Sequence, residues 1–285
     1  GRETHVVDLY GDGTTEVIAT LFSGSTQRLS DQNIRFWSED TSKNIDKKVG
    51  MVFNNEQPNT KEITKILSGD INGDEILDLV FVDYGEHDPQ SDGYRYPDGK
   101  LVVLKSSEQG YHWSEIKLDI PKGGITTGLT EFHTGVLIDI DNDKDLDLVV
   151  GGNNYSSLRL HAYKNDGNGN FKRIQTTPDA YSIGGGWTSF TASDIDDDGY
   201  HDLVMSYVEF PSGKTGELQI LWGSKEGLFN GSLNPQRIKD KYLSSWDHNE
   251  LLSAFIYDKN GRKNIVASFG YEGTKIVNYT FDGRK

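Results

Sequence analysis

The chain contains no cysteine among its 285 residues, which excludes disulfide bonds and thiolate metal sites. It also lacks an excess of positive charge. The formal net charge of -15 argues against a nucleic-acid partner, because phosphates require a basic surface. No apolar run approaches the length needed to cross a bilayer, so we predict no membrane insertion.

A convincing amphipathic helix pattern is missing as well, whereas glycine and aromatic residues are plentiful. The 32 glycines and 31 aromatic residues (14 Tyr, 12 Phe and 5 Trp) favour short strands separated by glycine turns. The composition therefore indicates an all-β protein.

One motif recurs five times: an apolar strand, a nine-residue loop rich in Asp or Asn, and a second apolar strand. The loops, which we number 1 to 5, span residues 8–16, 70–78, 139–147, 194–202 and 256–264. Their starts lie between 55 and 69 residues apart, a period typical of repeated supersecondary units.

Each interior loop is followed by a short β-branched run, at 79–82, 148–150 and 203–205, which predicts a buried strand. A third strand and a less regular fourth strand follow before the next repeat. Four strands per unit, repeated radially, is the blade plan of a β-propeller. We predict a propeller of about five blades of mostly four antiparallel strands, with the five loops between first and second strands. Residues 1–285 are expected to form a single domain, either complete or a fragment of a longer chain.

Loops 2 to 4 carry Asp or Asn at positions 1, 3, 5 and 9, where alternate side chains of a tight turn can converge. A backbone carbonyl at position 7 can join them. Calcium takes roughly six to eight oxygen ligands, so we predict three Ca²⁺ sites. The predicted ligands are Asp70, Asn72, Asp74, Ile76 and Asp78 in loop 2, Asp139, Asp141, Asp143, Asp145 and Asp147 in loop 3, and Asp194, Asp196, Asp198, Tyr200 and Asp202 in loop 4.

Other interpretations of these loops are weaker. Asp and Asn also stabilise turns by bonding their own backbone, but three loops with the same spacing and apolar flanks favour a cation. An EF-hand needs Glu at position 12, where these loops have Phe81, Val150 and Met205. Magnesium prefers fewer protein ligands, and zinc would want His or Cys.

The outer loops depart from the pattern. Loop 1 has Tyr10 at position 3 but keeps Asp8, Asp12 and Glu16, which makes it a candidate for a fourth Ca²⁺ site. Loop 5 has Ile256 at position 1, and we expect it to be empty or weakly occupied.

The pattern Asp-Ile-Asp/Asn-x-Asp-x-x-x-Asp-Leu-Val resembles the FG-GAP/VCBS repeat of integrin α-subunit propellers and many secreted bacterial proteins. The resemblance covers nearly the whole chain and implies that ligands bind on the face opposite the calcium loops. On the loops of that face, the candidate ligand-binding residues are Trp187, Trp246, His248, His133, Tyr94 and Tyr96. The two tryptophans could equally pack between blades.

We therefore predict a calcium-stabilised extracellular binding module or lectin-like adhesin that recognises a glycan or a protein. Weak calcium sites suit millimolar extracellular calcium, which favours a secreted, cell-surface or periplasmic protein. The alternative is a carbohydrate-active enzyme resembling a polysaccharide lyase, which needs a base and a charge-neutralising group in one cleft. The sequence identifies no catalytic residue, so the binding module is favoured.

The residues after loop 5 are too few for a complete fifth blade of four strands. We expect either a fifth blade of three strands or a fragment of a longer chain whose next residues complete that blade. An exposed edge would be covered by an adjoining domain or by self-association.

Overall fold

The structure is a computed structural model. It describes residues 3–20, 34–38, 54–60, 62–85, 99–119, 131–154, 157–174, 185–209, 217–229, 235–238, 250–270 and 275–280. Within these ranges the chain forms strands and turns and no helix, so no helix could span a membrane there.

The described strands form five sheets of neighbouring strands. The first sheet contains β1 (Thr4–Val7), β2 (Glu16–Thr20) and β3 (Ile34–Ser38), and the second contains β4 (Ile63–Gly69), β5 (Asp78–Asp83), β6 (Lys100–Lys105) and β7 (His112–Glu115). The third contains β8 (Glu131–Ile138), β9 (Asp147–Asn154), β10 (Ser157–Asn165) and β11 (Phe171–Ile174). The fourth contains β12 (Gly185–Ser193), β13 (Asp202–Glu209), β14 (Glu217–Leu221) and β15 (Gln236–Ile238), and the fifth contains β16 (Glu250–Asp258), β17 (Lys263–Gly270) and β18 (Lys275–Thr280).

Each sheet is an antiparallel meander in which consecutive strands are neighbours, the plan of a propeller blade. Three sheets have four strands, and the described parts of the first and fifth have three. The predicted fold class, an all-β propeller of about five blades, is confirmed. The chain forms two compact units, residues 1–133 with 163–173, and residues 134–162 with 174–285.

The cores lie between neighbouring sheets. Every residue of β5 is buried, which explains why residues 79–82 form a continuous apolar run rather than an alternating one. In the first unit, Ile18 and Phe36 of the first sheet pack with Ile66 and Phe81 of the second. In the second unit, Val204 of the fourth sheet packs in a cluster with residues of the fifth sheet. The second strand of the second sheet, β5, is thus buried along its whole length.

Candidate metal centre

Loops 1 to 4 connect the first strand of a sheet to its second, as predicted. In each case eight residues separate the last residue of the first strand from the first residue of the second. The ninth loop residue is therefore the first residue of the second strand in all four sheets: Glu16, Asp78, Asp147 and Asp202.

The four loops have the same backbone conformation at two positions. Position 4 is left-handed in each, with φ of 65° at Gly11, 75° at Gly73, 67° at Asn142 and 58° at Asp197. Position 6 is left-handed too, with φ of 82° at Gly13, 67° at Glu75, 78° at Lys144 and 90° at Gly199. Glutamate and lysine rarely adopt this conformation, so the loop shape must be imposed by other interactions.

Those interactions are hydrogen bonds from loop amides to loop carboxylates. The position 1 aspartates Asp8, Asp70, Asp139 and Asp194 accept a hydrogen bond from the backbone N–H of position 6 at 2.8, 2.9, 3.0 and 2.8 Å. The position 5 aspartates Asp12, Asp74, Asp143 and Asp198 accept one from the N–H of position 7 at 2.9, 3.0, 3.0 and 3.0 Å. Sequence reasoning ranked such bonding to the backbone below cation binding, and the structure shows that these side chains do shape the loop.

The carboxylate at position 9 ties the loop to the sheet. Glu16 is 2% exposed, and Asp78, Asp147 and Asp202 are 0% exposed. Each accepts a hydrogen bond from the backbone N–H of position 2, at 2.9, 2.9, 3.0 and 2.8 Å in loops 1 to 4. The position 2 side chains are buried apolar residues, so the tie also anchors the loop in the core.

In loops 3 and 4 the carboxylates at positions 1, 3 and 9 converge. Asp139, Asp141 and Asp147 each offer an oxygen within 4.8 Å of the others, and Asp194, Asp196 and Asp202 do the same. Two negative charges at about 4 Å repel by roughly 1 kcal/mol in water and several times that near a protein surface. Each group of three carboxylates therefore favours a bound cation.

The electrostatics of Asp202 reflect this crowding. Burial is the main reason that the pKa of Asp202 is raised to about 7. Hydrogen bonds from the backbone of Ile195 and Gly223 oppose the rise, and the Asp196 and Asp198 carboxylates add to it. A cation between these oxygens would stabilise the ionised form. The donors are all oxygen atoms, so the residues fit a hard cation.

Loop 2 differs from loops 3 and 4 at its centre. The hydroxyl oxygen of Ser106 lies 2.6 Å from a carboxylate oxygen of Asp78 and 2.9 Å from one of Asp74, and the Ser106 N–H donates to Asp78 at 2.6 Å. The side-chain amide of Asn72 donates to Asp74 at 3.1 Å and to the Ser106 carbonyl at 3.0 Å. Hydrogen bonds from Ser106 and Asn72 thus stabilise part of the negative charge of the loop 2 carboxylates. No motif in the sequence points to Ser106, which lies 28 residues after Asp78.

In loop 1 a tyrosine replaces the position 3 ligand. Tyr10 is half-buried, and its ring packs edge-on against Tyr111 with centroids 6.4 Å apart. Burial raises the pKa of Tyr10, so its hydroxyl stays neutral and is a poor substitute for a carboxylate. Loop 1 keeps the loop shape but has lost one charge.

Loop 5 has a different structure. The strand pairing continues through Tyr257↔Asn264 and Asp258↔Lys263, and Lys259 and Arg262 exchange backbone hydrogen bonds of 2.8 and 3.2 Å. Asn260 and Gly261 both have positive φ, 57° and 71°. This is a tight two-residue hairpin turn of the kind that favours Asn-Gly. The interpretation of this segment as a degenerate metal loop overlooks that turn signal.

The match to known proteins lies in loops 3 and 4. Residues 139–205 match the family model of the FG-GAP-like repeat. The resemblance drawn from the sequence is confirmed over this segment, which contains both groups of converging carboxylates. No curated protein shows significant sequence similarity to the chain.

Several solved structures are similar to the chain that carries this FG-GAP-like repeat. A triple arginine-to-alanine mutant of AofleA from Arthrobotrys oligospora has 13% identity and a TM-score of 0.48, over 98% of this chain and 69% of that one. The β-fructofuranosidase BmSUC1 of Bombyx mori has 14% identity and a TM-score of 0.42, over 92% of this chain and 54% of that one. The sialidase of Trypanosoma rangeli in complex with the inhibitor DANA has 10% identity and a TM-score of 0.32, over 99% and 55%. Similarity at these values carries no information on function.

The residues predicted for ligand binding lie mostly outside the described ranges. Trp246, His248, Tyr94 and Tyr96 all do. Trp187 is part of β12, where it pairs with Tyr207 next to a register shift. His133 lies on β8, and its ring packs edge-on against Tyr84 with centroids 5.2 Å apart. The structure therefore does not bring the six residues together into a described site.

Proposed function

We propose that the chain is a calcium-stabilised binding module. The observation that carries this proposal is the convergence of three carboxylates in loop 3 and again in loop 4. Their ligand atoms are all carboxylate oxygens, the type that calcium prefers, with neither His nor Cys among them. The segment that matches the FG-GAP-like repeat contains both loops. The resemblance of the loop sequences to the repeats of integrin α-subunit propellers also supports calcium.

The four loops should differ in calcium affinity. Loops 3 and 4 would bind most tightly, through Asp139, Asp141, Asp143, Asp147 and the carbonyl of Asp145, and through Asp194, Asp196, Asp198, Asp202 and the carbonyl of Tyr200. Loop 2 would bind a third ion more weakly, because the Ser106 hydroxyl already occupies carboxylate oxygens of Asp74 and Asp78, for which Gly223 at the same place beside loop 4 has no counterpart. Loop 1 would bind a fourth ion most weakly, because Tyr10 replaces a charged ligand.

Ligand recognition completes the proposal. We propose a glycan or protein ligand, bound by the loops opposite the calcium loops. The role suits an exported protein, because extracellular calcium is abundant enough to fill sites of moderate affinity.

The test is calcium titration of metal-free protein, with the bound ion counted by elemental analysis. We expect at least two calcium ions per chain. A site that is saturated at a hundredfold over its dissociation constant stabilises the fold by about 2.7 kcal/mol, so chelation should lower the melting temperature markedly. A metal-free preparation with an unchanged melting curve in excess calcium would contradict the proposal. A glycan-array screen in calcium then tests the ligand class.

A further inference from the structure

The segment that follows β14 contacts two of the metal loops. We call residues 223–228 the β14 turn. At its first residue, the Gly223 N–H donates a hydrogen bond of 2.7 Å to Oδ1 of Asp202, the position 9 carboxylate of loop 4. At its last residue, the Leu228 N–H donates a hydrogen bond of 2.8 Å to the carbonyl oxygen of Ile140 in loop 3. One short turn of the second compact unit therefore joins the two loops whose carboxylates converge.

Loop 3 holds the β14 turn by a side chain as well as by its backbone. The Asn142 side-chain amide donates to the carbonyl oxygens of Ser224 at 2.8 Å and Lys225 at 3.3 Å. Asn142 occupies position 4, which supplies no predicted calcium ligand. Loops 1 and 2 have Gly11 and Gly73 at this position with the same left-handed backbone, so the loop shape does not require a side chain there. The amide of Asn142 thus serves the docking of the turn.

The β14 turn is closed and closely packed. The Gly227 N–H donates to the Ser224 carbonyl at 2.8 Å, and the Ser224 hydroxyl donates to the Gly227 carbonyl at 3.0 Å. A Cβ atom at Gly227 would lie 2.7 Å from the Ile140 carbonyl oxygen, so only glycine lets the two backbones approach this closely. Leu228 is 4% exposed and packs in one core cluster with Ile140. Because the turn is held in this way, a shift at one end is passed on to the other.

A continuous series of contacts connects the position 9 carboxylates of the two loops. Asp202 accepts the Gly223 N–H at one end of the β14 turn, and Leu228 at the other end donates to the Ile140 carbonyl. The N–H of Ile140 in turn donates to Oδ2 of Asp147 at 3.0 Å. Both carboxylates belong to the converging groups. An ion that fixes one of them therefore stabilises the docked turn, and the docked turn supports the backbone that positions the other.

Loop 2 receives a similar contact within the first compact unit. The side-chain amide of Asn165, the last residue of β10, donates to the carbonyl of Ile71 at 2.7 Å. Ile71 occupies position 2 of its loop, as Ile140 does in loop 3. The residues after β10 are held in place by Lys105, whose Nζ donates to the Asn168 carbonyl at 2.9 Å. Docking of a third-strand turn on a position 2 carbonyl is thus a repeated feature of the fold.

We propose that the β14 turn makes calcium binding by loops 3 and 4 cooperative, with Asn142 as the positioning residue that couples the turn to loop 3. This coupling rests on the proposed function, because both loops must bind calcium, and it adds a dependence of each site on the other. Calcium in loop 4 raises the affinity of loop 3, and linkage requires the same factor in the reverse direction. Repulsion between the two ions opposes the effect, and salt at about 0.15 M screens it beyond roughly 8 Å.

The experiment is a calcium titration of the full chain in physiological salt, followed by NMR. The amide signals of Asp145 and Tyr200, at position 7 of loops 3 and 4, report each site separately. Asp196→Asn weakens loop 4 by removing a ligand charge, and we expect it to lower the calcium affinity of loop 3 at least about fivefold. In an Asn142→Gly background the same substitution should lower that affinity less than about twofold, as for independent sites. Glycine keeps the left-handed backbone of position 4 and removes only the amide side chain.

A second measurement uses metal-free protein and tests the β14 turn apart from calcium. Asn142→Gly should accelerate hydrogen exchange of the Gly223 amide, which is bound to the other loop, at least about fivefold, because the turn loses hydrogen bonds. The matched control is Asp197→Gly, which places glycine at the left-handed position 4 of loop 4. Within the described ranges no hydrogen bond joins Asp197 to the turn. The control should therefore leave Gly223 exchange within about twofold of the unmodified chain.

The outcomes separate this coupling from the proposed function. Calcium ions that bind loops 3 and 4 independently, or a coupling that Asn142→Gly leaves unchanged, would overturn the role of the β14 turn and leave the calcium-stabilised module standing. A chain that binds no calcium would overturn both. Unchanged Gly223 exchange in metal-free Asn142→Gly, or equal acceleration in Asp197→Gly, would overturn the coupling alone.

Discussion

Loop 4 and loop 5 have the same length and follow strands of the same kind, yet they adopt different structures. In loop 4 the strand pairing stops at Ser193↔Asp202, and the eight residues between them form a wide loop. In loop 5 the pairs Tyr257↔Asn264 and Asp258↔Lys263 form within the nine residues, and the chain turns through Asn260 and Gly261. The comparison shows that the nine-residue spacing alone does not produce a metal loop.

The difference follows from charge and turn chemistry. Five aspartates in loop 4 could not be brought together in a tight hairpin without strong repulsion, and their oxygens instead accept loop amides. Loop 5 has Asn264 at position 9 in place of a carboxylate. The oxygen of the Asn264 side chain accepts from Thr280 on the neighbouring strand β18, and its amide donates to the Arg262 carbonyl of the turn at 2.9 Å. Asn-Gly at positions 5 and 6 then favours the tight turn.

The most direct test of the difference between metal loops and loop 5 is substitution at position 3, which is aspartate in both loop 3 and loop 5. We expect Asp141→Ala to lose one bound calcium and to destabilise the fold by about 1–3 kcal/mol in calcium. Asp258→Ala removes a half-exposed ion pair with Lys263 and a hydrogen bond of 3.0 Å from the Gly261 N–H, and should cost about 1 kcal/mol with or without calcium. Urea denaturation with and without calcium measures both. Equal costs for the two variants would show that the loops are alike after all.

A smaller effect is expected from the turn of loop 5. Gly261 has φ of 71° and open space where a side chain would be added, so Gly261→Ala tests backbone conformation alone. We expect a cost of about 1 kcal/mol, independent of calcium. Gly261→Asn should recover most of it, because asparagine tolerates the left-handed conformation. A calcium-dependent loss in thermal denaturation would contradict a hairpin without a metal site.

The last prediction concerns pH and loop 4. In metal-free protein, the raised pKa of Asp202 means that the folded state binds a proton at higher pH than the unfolded state. Its contribution to stability is therefore fully present near pH 4 and is lost as the pH rises through about 7. We expect the melting temperature of metal-free protein to rise less on acidification from pH 8 to pH 5 in Asp202→Asn than in the unmodified chain. Identical pH profiles would show that Asp202 is not perturbed.

Part of this molecule could be predicted from its sequence. The runs at 79–82, 148–150 and 203–205 are buried strands, and the carboxylates of loops 3 and 4 converge as their spacing indicates. The role of Ser106 could not be predicted, because its contact with Asp78 depends on the pairing of β5 with β6. The tie formed by position 9 was also missed, since a ligand and a hydrogen-bond acceptor have the same sequence signature.

The hydrogen bond between the position 2 N–H and the position 9 carboxylate affects the rate at which an ion can bind. The buried carboxylates of Asp147 and Asp202 hold the amides of Ile140 and Ile195, so the protein itself maintains the loop geometry. An arriving ion then needs to shed water but does not need to reorganise the backbone. For preorganised sites, association is fast and similar from site to site, and differences in affinity arise in dissociation. The four loops of this chain should therefore exchange calcium at entry rates that are alike, and differ in how long each one retains the ion.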